Sequence, residues 1–436
     1  MLSLQKYQNK KIAIYGMGLT GCSAARVLRK LGAKVLCWDD NVIIRKKLEK
    51  FDFSFRKFWS NKNLVDKIVL SPGIDINRCK LKNYLKKNRR KIITDLDIFY
   101  INNPNNLKIT ITGTNGKSTT AKLLFNILRD QNKDVILAGN IGIPILSKSN
   151  IKRSTIFVIE ASSYQIDYSQ YFKTDYALIL NISPDHLERH KTIQKYTHAK
   201  FKLVLRQSKN FYAFIENNKY LNREIKKYKT RSKIIKIKKN YKKIKKLISN
   251  NYFDNINNLN NLSFILEFAK VYKLNKSKLL KTVNLFKGLD FRQQTIYKNK
   301  FVTIVNDSKS TSFSSSINLL KSYKNIFWIV GGLAKKGDKF NLSSKYHKNI
   351  KCYIFGKDKI FFKKKLKKKI LSMSYNSLES ILKKIIKEIK LNKNKHFHIL
   401  FSPAAASFDK FKNFEDRGHY FNYLIKKIKF IRKINA

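Results

Sequence analysis

Gly113-Thr114-Asn115-Gly116-Lys117-Ser118-Thr119-Thr120 is the stretch that decides the fold. It follows a short apolar run, 107–112, and opens a segment of helical periodicity, 117–131. A glycine-rich loop between a buried strand and a helix turns successive backbone N–H groups toward an anion, and the helix N-terminus adds its partial positive charge. The loop therefore reads as a phosphate cradle. Lys117 would reach the β- and γ-phosphates of a nucleotide, and Ser118 or Thr119 can hold Mg²⁺ through a hydroxyl. The spacing Gly-x-x-Gly-Lys-Ser is two residues shorter than the common phosphate loop.

Outward from that loop, apolar runs ending in Gly, Ser or Asp alternate with helix-period segments. This is the pattern of an α/β chain with parallel strands. It predicts strands at 11–15, 34–38, 66–70, 107–112, 155–159, 176–182, 301–306, 325–330, 351–355 and 396–401, and helices at 20–31, 117–131, 258–272 and 414–428. A chain of 436 residues exceeds one ordinary core. An Asn- and Pro-containing loop at 102–106 and a polar stretch at 297–300 divide it into expected domains 1–101, 102–296 and 297–436. No fixed-period repeat is visible.

The first domain carries a second glycine loop, Gly16-Met17-Gly18-Leu19-Thr20-Gly21, again between a predicted strand and helix. Such glycines allow a tight turn and close backbone approach to a diphosphate. Asp39 and Asp40 end the next strand, where a carboxylate can meet a ribose or base. Alone, this loop would suggest an NAD-dependent oxidoreductase, but that leaves Gly113–Thr120 without a role.

Lys and Arg number 93 against 28 Asp and Glu, a net charge of +65. Nucleic-acid binding is one reading of such a balance. The lysines, however, are spread through the whole chain together with Asn and Ile, and no zinc finger, helix-turn-helix or RNA-binding aromatic signature accompanies them. Compositional drift is the reading favoured here, with no nucleic-acid partner expected. Cys22, Cys37, Cys79 and Cys352 fit neither a metal clamp nor a disulfide framework. No apolar run approaches the ~20 residues of a membrane span, and residues 1–11 lack the apolar core of a signal peptide. A cytoplasmic location is therefore expected, and the chain is expected to be a monomeric enzyme acting on small molecules.

Two phosphate loops in successive domains carry a resemblance. Gly113–Thr120 resembles the ATP loop of the Mur ligase family, which also includes folylpolyglutamate synthases, and the rest of the chain is similar to the D-glutamate-adding members nearly end to end. The resemblance implies a three-domain α/β architecture: a Rossmann-like UDP-binding domain, a central P-loop ATPase-type domain with a parallel sheet, and a C-terminal Rossmann-like domain that binds the amino acid. It implies an ADP-forming ligase of peptidoglycan synthesis with UDP-N-acetylmuramoyl-L-alanine, D-glutamate and ATP as substrates, and Mg²⁺, two ions, as cofactor.

Residue by residue, the resemblance gives Gly18, Leu19, Thr20, Asp39, Asp40 and Gly73 (in Ser71-Pro72-Gly73-Ile74) contacts to the UDP moiety. Asn140 (in Gly139-Asn140-Ile141-Gly142), Ser162 and Gln165 would hold the muramoyl-alanine part. Glu160 ends a predicted buried strand, where an unpaired carboxylate is costly and a metal explains it. The resemblance makes Glu160 a Mg²⁺ ligand with Ser118, assigns His186 (in Asp185-His186) to the second ion, and matches Lys200 to a lysine that carries a carbamate. Lys117, Glu160, His186 and Lys200 are thus the implied catalytic group. Gly113, Thr114, Asn115, Gly116, Lys117, Ser118, Thr119, Asn258, Asn261, Arg292 and Asp307 would bind ATP. Lys309, Thr311, Lys335, Ser407 and Phe414 would position D-glutamate.

Two positions depart from the family pattern. Asn257 stands where a His precedes the paired asparagines, and Phe291 stands where a His precedes Arg292. Both bear on adenine recognition. The Gly16–Gly21 loop and the segment from Ser402 to Gly418 speak against the sister ligases and the folate-adding branch.

Overall fold

The computed structural model describes residues 6–51, 53–60, 64–148, 151–335, 338–367, 369–392 and 394–428. Three sheets organise them. The first holds β1 (Lys11–Tyr15), β2 (Lys34–Trp38), β3 (Lys67–Leu70) and β4 (Ile92–Ile93) in the order β2-β1-β3-β4, all parallel. The second holds β5 (Lys108–Thr112), β6 (Val135–Gly139), β7 (Ile156–Glu160), β8 (Tyr176–Ile179), β9 (Tyr212–Glu216) and β10 (Lys233–Ile237) in the order β10-β9-β8-β5-β7-β6, also all parallel. The third holds β11 (Gln294–Lys298), β12 (Val302–Asn306), β13 (Ile326–Gly331), β14 (Ile350–Phe355), β15 (Leu371–Ser374) and β16 (Phe397–Phe401) in the order β11-β12-β16-β13-β14-β15. Only the β11–β12 pair in that sheet is antiparallel.

These sheets fall into two compact units, Met1–Ser249 with Leu259–Asn284, and Asn250–Asn258 with Leu285–Ala436. In the first unit one apolar core continues beneath both sheets, from Ile14 and Leu28 to Phe99, Phe157 and Phe172. Phe99 meets Phe157 edge to face, ring centroids 4.6 Å apart. In the second unit β13 shows why its sheet is buried on both faces. Phe327 and Ile329 enter one core while Ile326, Trp328 and Val330 enter the other, the two-residue alternation of a strand with helices on each side.

All ten strands and four helices anticipated from the sequence are present, within a few residues at their ends. Six strands were not anticipated: β4, β6, β9, β10, β11 and β15. Five of them lie at sheet edges. An edge strand has one solvated side, so β10, β11 and β15 lack the continuous apolar run of a central parallel strand, whereas β6 (Val-Ile-Leu-Ala-Gly) is apolar throughout and β4 is only two residues long. The strand β10, Lys-Ile-Ile-Lys-Ile, lies inside a lysine-rich run that composition alone marks as featureless. The polar stretch at 297–300 includes the end of β11. Among the described residues no helix is long and apolar enough to cross a membrane.

Candidate active site

Parallel strands put their C-terminal ends on one edge of the sheet, and ligands of such sheets bind where the strand order reverses. In the second sheet that reversal falls at β5, whose successors lie on both sides of it. Gly113–Thr120 follows β5 directly, and Gly116 (φ +84°) leads into the helix Lys117–Arg129. Gly116 is required twice over. Its left-handed conformation disfavours a side chain, and a Cβ there would sit 2.2 Å from Oδ1 of Asn261. Asn261, anticipated near the nucleotide, thus lies against the phosphate loop itself and is buried.

The loop is pinned by the strand beside it. Asn115 N–H donates to Asn181 Oδ1 at 2.8 Å, Asn181 Nδ2 donates to Asn115 O at 2.9 Å, and Thr114 N–H donates to Asn181 O at 2.9 Å. Lys117 folds back so that Nζ donates to the carbonyls of Gly113 (2.9 Å) and Thr114 (2.7 Å). The β5–β7 register places Ile111 opposite Glu160, which brings the Glu160 carboxylate to the start of the helix. There Ser118 Oγ donates to Glu160 Oε2 at 2.5 Å, with both residues buried. A hydroxyl and a carboxylate side by side at a phosphate loop are the hard oxygen donors that Mg²⁺ takes, its other positions being filled by water and phosphate oxygens. The residues present therefore fit the ion. Among the described residues no group of three His, Cys, Asp or Glu could hold a metal ion.

Lys200 lies on the helix Ile193–Leu205 and is 2% exposed. Its Nζ donates to Thr112 Oγ1 (3.2 Å) and Gly113 O (3.0 Å), at the base of the same loop. Burial holds this amine well below the usual lysine range. Lys117 pushes it the same way, while Asp185 and Glu160 act against both. Tyr196, one helical turn earlier, was not singled out in the sequence, although an i, i+4 pair shares a helix face. Its hydroxyl is 3.2 Å from Thr114 Oγ1 and its ring lies 4.7 Å beneath the Lys200 amine. His186 adopts φ +54° at the start of a short helix. Its ring nitrogens lie 3.5 Å from Asp185 Oδ2 and 3.6 Å from Glu188 Oε1, and Tyr164 packs edge-on against it at 5.0 Å.

Asn140 follows β6, and its N–H donates to Glu160 O at 3.0 Å. Ser162 and Gln165 form a capping box on the helix Ser163–Tyr168, and Gln165 Nε2 also reaches both oxygens of Asp95 (3.3 and 3.2 Å). Burial raises the Asp95 carboxyl to about 6, and the Gln165 bond acts against that rise. Ser162 and Gln165 thus have local structural partners as well as the role that resemblance implies.

Around the first sheet, Gly21 has to be a glycine because the helix Leu19–Lys30 crosses close to the strand end. A Cβ on it would lie 2.0 Å from Gly16 O. Ser71 Oγ donates to that same carbonyl at 2.6 Å, which joins the Gly16–Gly21 loop to the Ser71–Ile74 loop. Leu19 is exposed, and no atom stands within 4 Å of a Cβ on Gly18 or Gly73, so this face is open. Thr20 is half-buried. Asp39 accepts the N–H groups of Met17 (2.7 Å) and Asn41 (2.9 Å). Asp40 accepts the Tyr15 hydroxyl at 2.5 Å. Asp39 thus bonds to the loop it was expected to serve, whereas Asp40 bonds to side chains at the ends of β1 and β2.

The remaining anticipated residues all lie in the second unit. Burial raises the Asp307 carboxyl to about 7, while Ser402 Oγ (2.7 Å) and Gln293 N–H (3.1 Å) donate to it. Phe414 begins the helix Phe414–Lys427. The Lys309 amine lies 3.8 Å and the Arg292 guanidinium 6.0 Å from its ring centre. Ser407 is buried, Lys335 half-buried and Thr311 exposed. Asn258 is buried, with Nδ2 donating to Tyr252 O at 2.7 Å. Phe291, in the position of a family histidine, is buried and packs onto Gly418, where a Cβ would sit 2.3 Å from its ring. Sequence reading missed Arg417. It is fully buried, and its guanidinium ties Ser308 O (2.6 Å) to Ala405 O (2.9 Å), which holds two of these loops together.

Comparison with known proteins agrees with this geometry. The family model described as Mur ligase middle domain matches residues 111–279. The UDP-N-acetylmuramoylalanine--D-glutamate ligase of Rickettsia felis is 32% identical, with 97% of this chain and 98% of the relative covered. The protein of the same name from Rickettsia bellii is 31% identical, with 96% and 98% covered. Among solved structures, the UDP-N-acetylmuramate-alanine ligase of Thermotoga maritima aligns with a TM-score of 0.55 at 14% identity, covering 96% of this chain and all (100%) of that one. The MurF ligase of the same organism in complex with ADP aligns with a TM-score of 0.56 at 16% identity, covering 99% and 98%. At such identities the structural likeness speaks to the fold.

Proposed function

The chain belongs to the Mur ligase family, and on that premise we propose that it is an ATP-dependent ligase joining the amine of D-glutamate to the alanyl carboxylate of UDP-N-acetylmuramoyl-L-alanine, in peptidoglycan synthesis. The observation that carries the reading is the buried Ser118–Glu160 pair, 2.5 Å apart at the phosphate loop, with Lys200 under the same loop.

A carboxylate does not accept an amine without activation. Its oxygen attacks the γ-phosphorus of ATP, the bond to the bridging oxygen breaks, and ADP leaves an acyl phosphate. The amine of D-glutamate adds to the acyl carbon and loses a proton, and phosphate departs as the tetrahedral intermediate collapses. Lys117, which now occupies two loop carbonyls, would turn to the incoming phosphates. Ser118, Glu160 and His186 would hold Mg²⁺, which when bound neutralises charge building on the transferred phosphoryl group. Lys309, Thr311, Lys335, Ser407 and Phe414 would orient D-glutamate. The division 1–101 for UDP, 102–296 for ATP and 297–436 for the amino acid belongs to this proposal, as does action in the cytoplasm as a monomer on small molecules alone.

Lys200 would carry a carbamate. A buried amine held below the usual lysine range more readily gives up its proton and adds to CO₂, forming the N–C bond with release of a second proton, and the resulting anion suits a site next to a cation. NMR of protein held in ¹³C-bicarbonate should show a carbamate carbonyl resonance that Lys200→Ala loses. A spectrum without that resonance would remove the modification from the mechanism.

Phosphate release from ATP tests the whole reading, with UDP-N-acetylmuramoyl-L-alanine and, in turn, D-glutamate, L-glutamate and L-lysine. Release dependent on D-glutamate is the expected result. Dependence on L-lysine or L-glutamate would move the chain to another amino-acid specificity, and no release with any of them would overturn the assignment.

A further inference from the structure

We propose that Arg189 is a positioning residue for the UDP-linked substrate, holding the Ser71–Ile74 loop so that the Gly73 N–H faces the ligand. The inference rests on the reading above that this loop contacts UDP.

Arg189 Nη1 donates to Pro72 O at 2.7 Å, and Nη2 donates to Ile74 O. In a planar trans peptide the N–H points opposite to the C=O. Drawing the Pro72 carbonyl onto the guanidinium therefore turns the Gly73 N–H away from Arg189. Among the described residues no backbone or side-chain acceptor takes that N–H, and the space in front of Gly73 is open, a Cβ there having no neighbour within 4 Å. The loop thus offers a donor to a ligand, and the fixed fork of the guanidinium sets its direction. A lysine ammonium cannot span two carbonyls with that geometry.

Arg189 is itself held in place from behind. Its guanidinium lies 3.7 Å from the centre of the Tyr164 ring, and that ring packs edge-on against His186 (5.0 Å) and stacks on His190 (5.3 Å). His190 is anchored in turn by Ser163 Oγ, 2.9 Å from its Nε2. The Arg189 Nε is buried without a partner, a cost that the two carbonyl bonds and the aromatic face offset. One side chain therefore links the loop after β3 to the segment that carries His186. Arg189 also borders a cavity of about 730 Å³ with Ile76 and Asn77, so a shorter or uncharged side chain can be accommodated there without overpacking.

Calorimetric binding of UDP-N-acetylmuramoyl-L-alanine and steady-state kinetics on the full chain test the idea. Arg189→Met should raise Kd and KM for the UDP-linked substrate about tenfold, as for loss of a charge-assisted hydrogen bond. The KM values for ATP and D-glutamate should stay within about twofold, and kcat should fall less than KM rises. Arg189→Lys, which keeps the charge and is the variant to use if the methionine form does not fold, should show the same selective loss in weaker form. An unchanged KM for the UDP-linked substrate, or equal rises in all three KM values, overturns the positioning role. If the unsubstituted protein binds no UDP-linked substrate at all, the parent reading fails and this one with it, and that outcome is visible before any variant is compared.

Discussion

Glu160→Ala is expected to lower the rate of D-glutamate-dependent phosphate release by about three orders of magnitude or more, the scale seen when a preorganised electrostatic group is removed from a transition state. Glu160 is 5% exposed, yet the side-chain hydrogen bond to it comes from Ser118, a neutral hydroxyl. A carboxylate buried beside a neutral hydroxyl at a phosphate loop gains most once a cation arrives. The substitution should therefore leave the melting temperature of the ligand-free protein close to that of the parent, while abolishing the extra stability that ATP with Mg²⁺ confers. Lys117→Ala should produce a loss of similar size for a different reason. The cation that would balance the β- and γ-phosphates is gone, while the helix Lys117–Arg129 keeps its buried face of Leu123, Leu124, Ile127 and Leu128. Near-normal turnover in either variant would remove that residue from the catalytic group.

The second large effect is on stability. Asp97→Ala should destabilise the first unit by about 3–5 kcal/mol, the range for leaving buried partners of a charge uncompensated. That corresponds to roughly 10 °C in the transition of this unit. Asp97 is fully buried in the helix Asp95–Asn102. One oxygen accepts from Ser169 Oγ (2.6 Å) and from the N–H groups of Gln170 (3.0 Å), Tyr171 (2.7 Å) and Phe172 (3.0 Å), while the other accepts from Thr94 N–H at 2.9 Å. A single carboxylate thus ties the chain leaving the first sheet to the turn that follows the helix Ser163–Tyr168. Alanine leaves those backbone donors buried and unpaired. Thermal unfolding followed by circular dichroism gives the measurement, and a shift below about 2 °C would show that water or a neighbouring acceptor replaces the carboxylate.

The same contrast between local and distant causes separates what could be read early from what could not. The phosphate loop is legible because its requirements are local: a strand, glycines where the backbone must turn left-handed or lie close to a ligand, a lysine and a hydroxyl at the first helical residues. Most central parallel strands are legible because both faces are buried, so their sequences are largely apolar; β9 (Tyr212–Glu216), central and buried yet not anticipated, is the exception. The lysine-rich β10 and the half-solvated β11 and β15 obey neither rule, and their pairing depends on a neighbour that sequence does not place.

By itself, the sequence determined the α/β class and the two glycine loops, and through its resemblance it pointed to Ser118, Glu160, Lys200 and Asn261, which the fold brings to the loop Gly113–Thr120. Only the tertiary structure decided which of them touch. Asn261 meets Gly116 across some 145 positions of chain because a helix lies over the loop and a missing Cβ leaves room for the amide. Lys200 is held well below the usual lysine range because its face of the helix Ile193–Leu205 is buried against Thr112 and Gly113. Asp97 and Arg189, unremarkable in the sequence, become the ties between segments because backbone N–H and C=O groups that leave water must find partners wherever packing brings them. That demand is set by burial, and burial is a property of the folded chain.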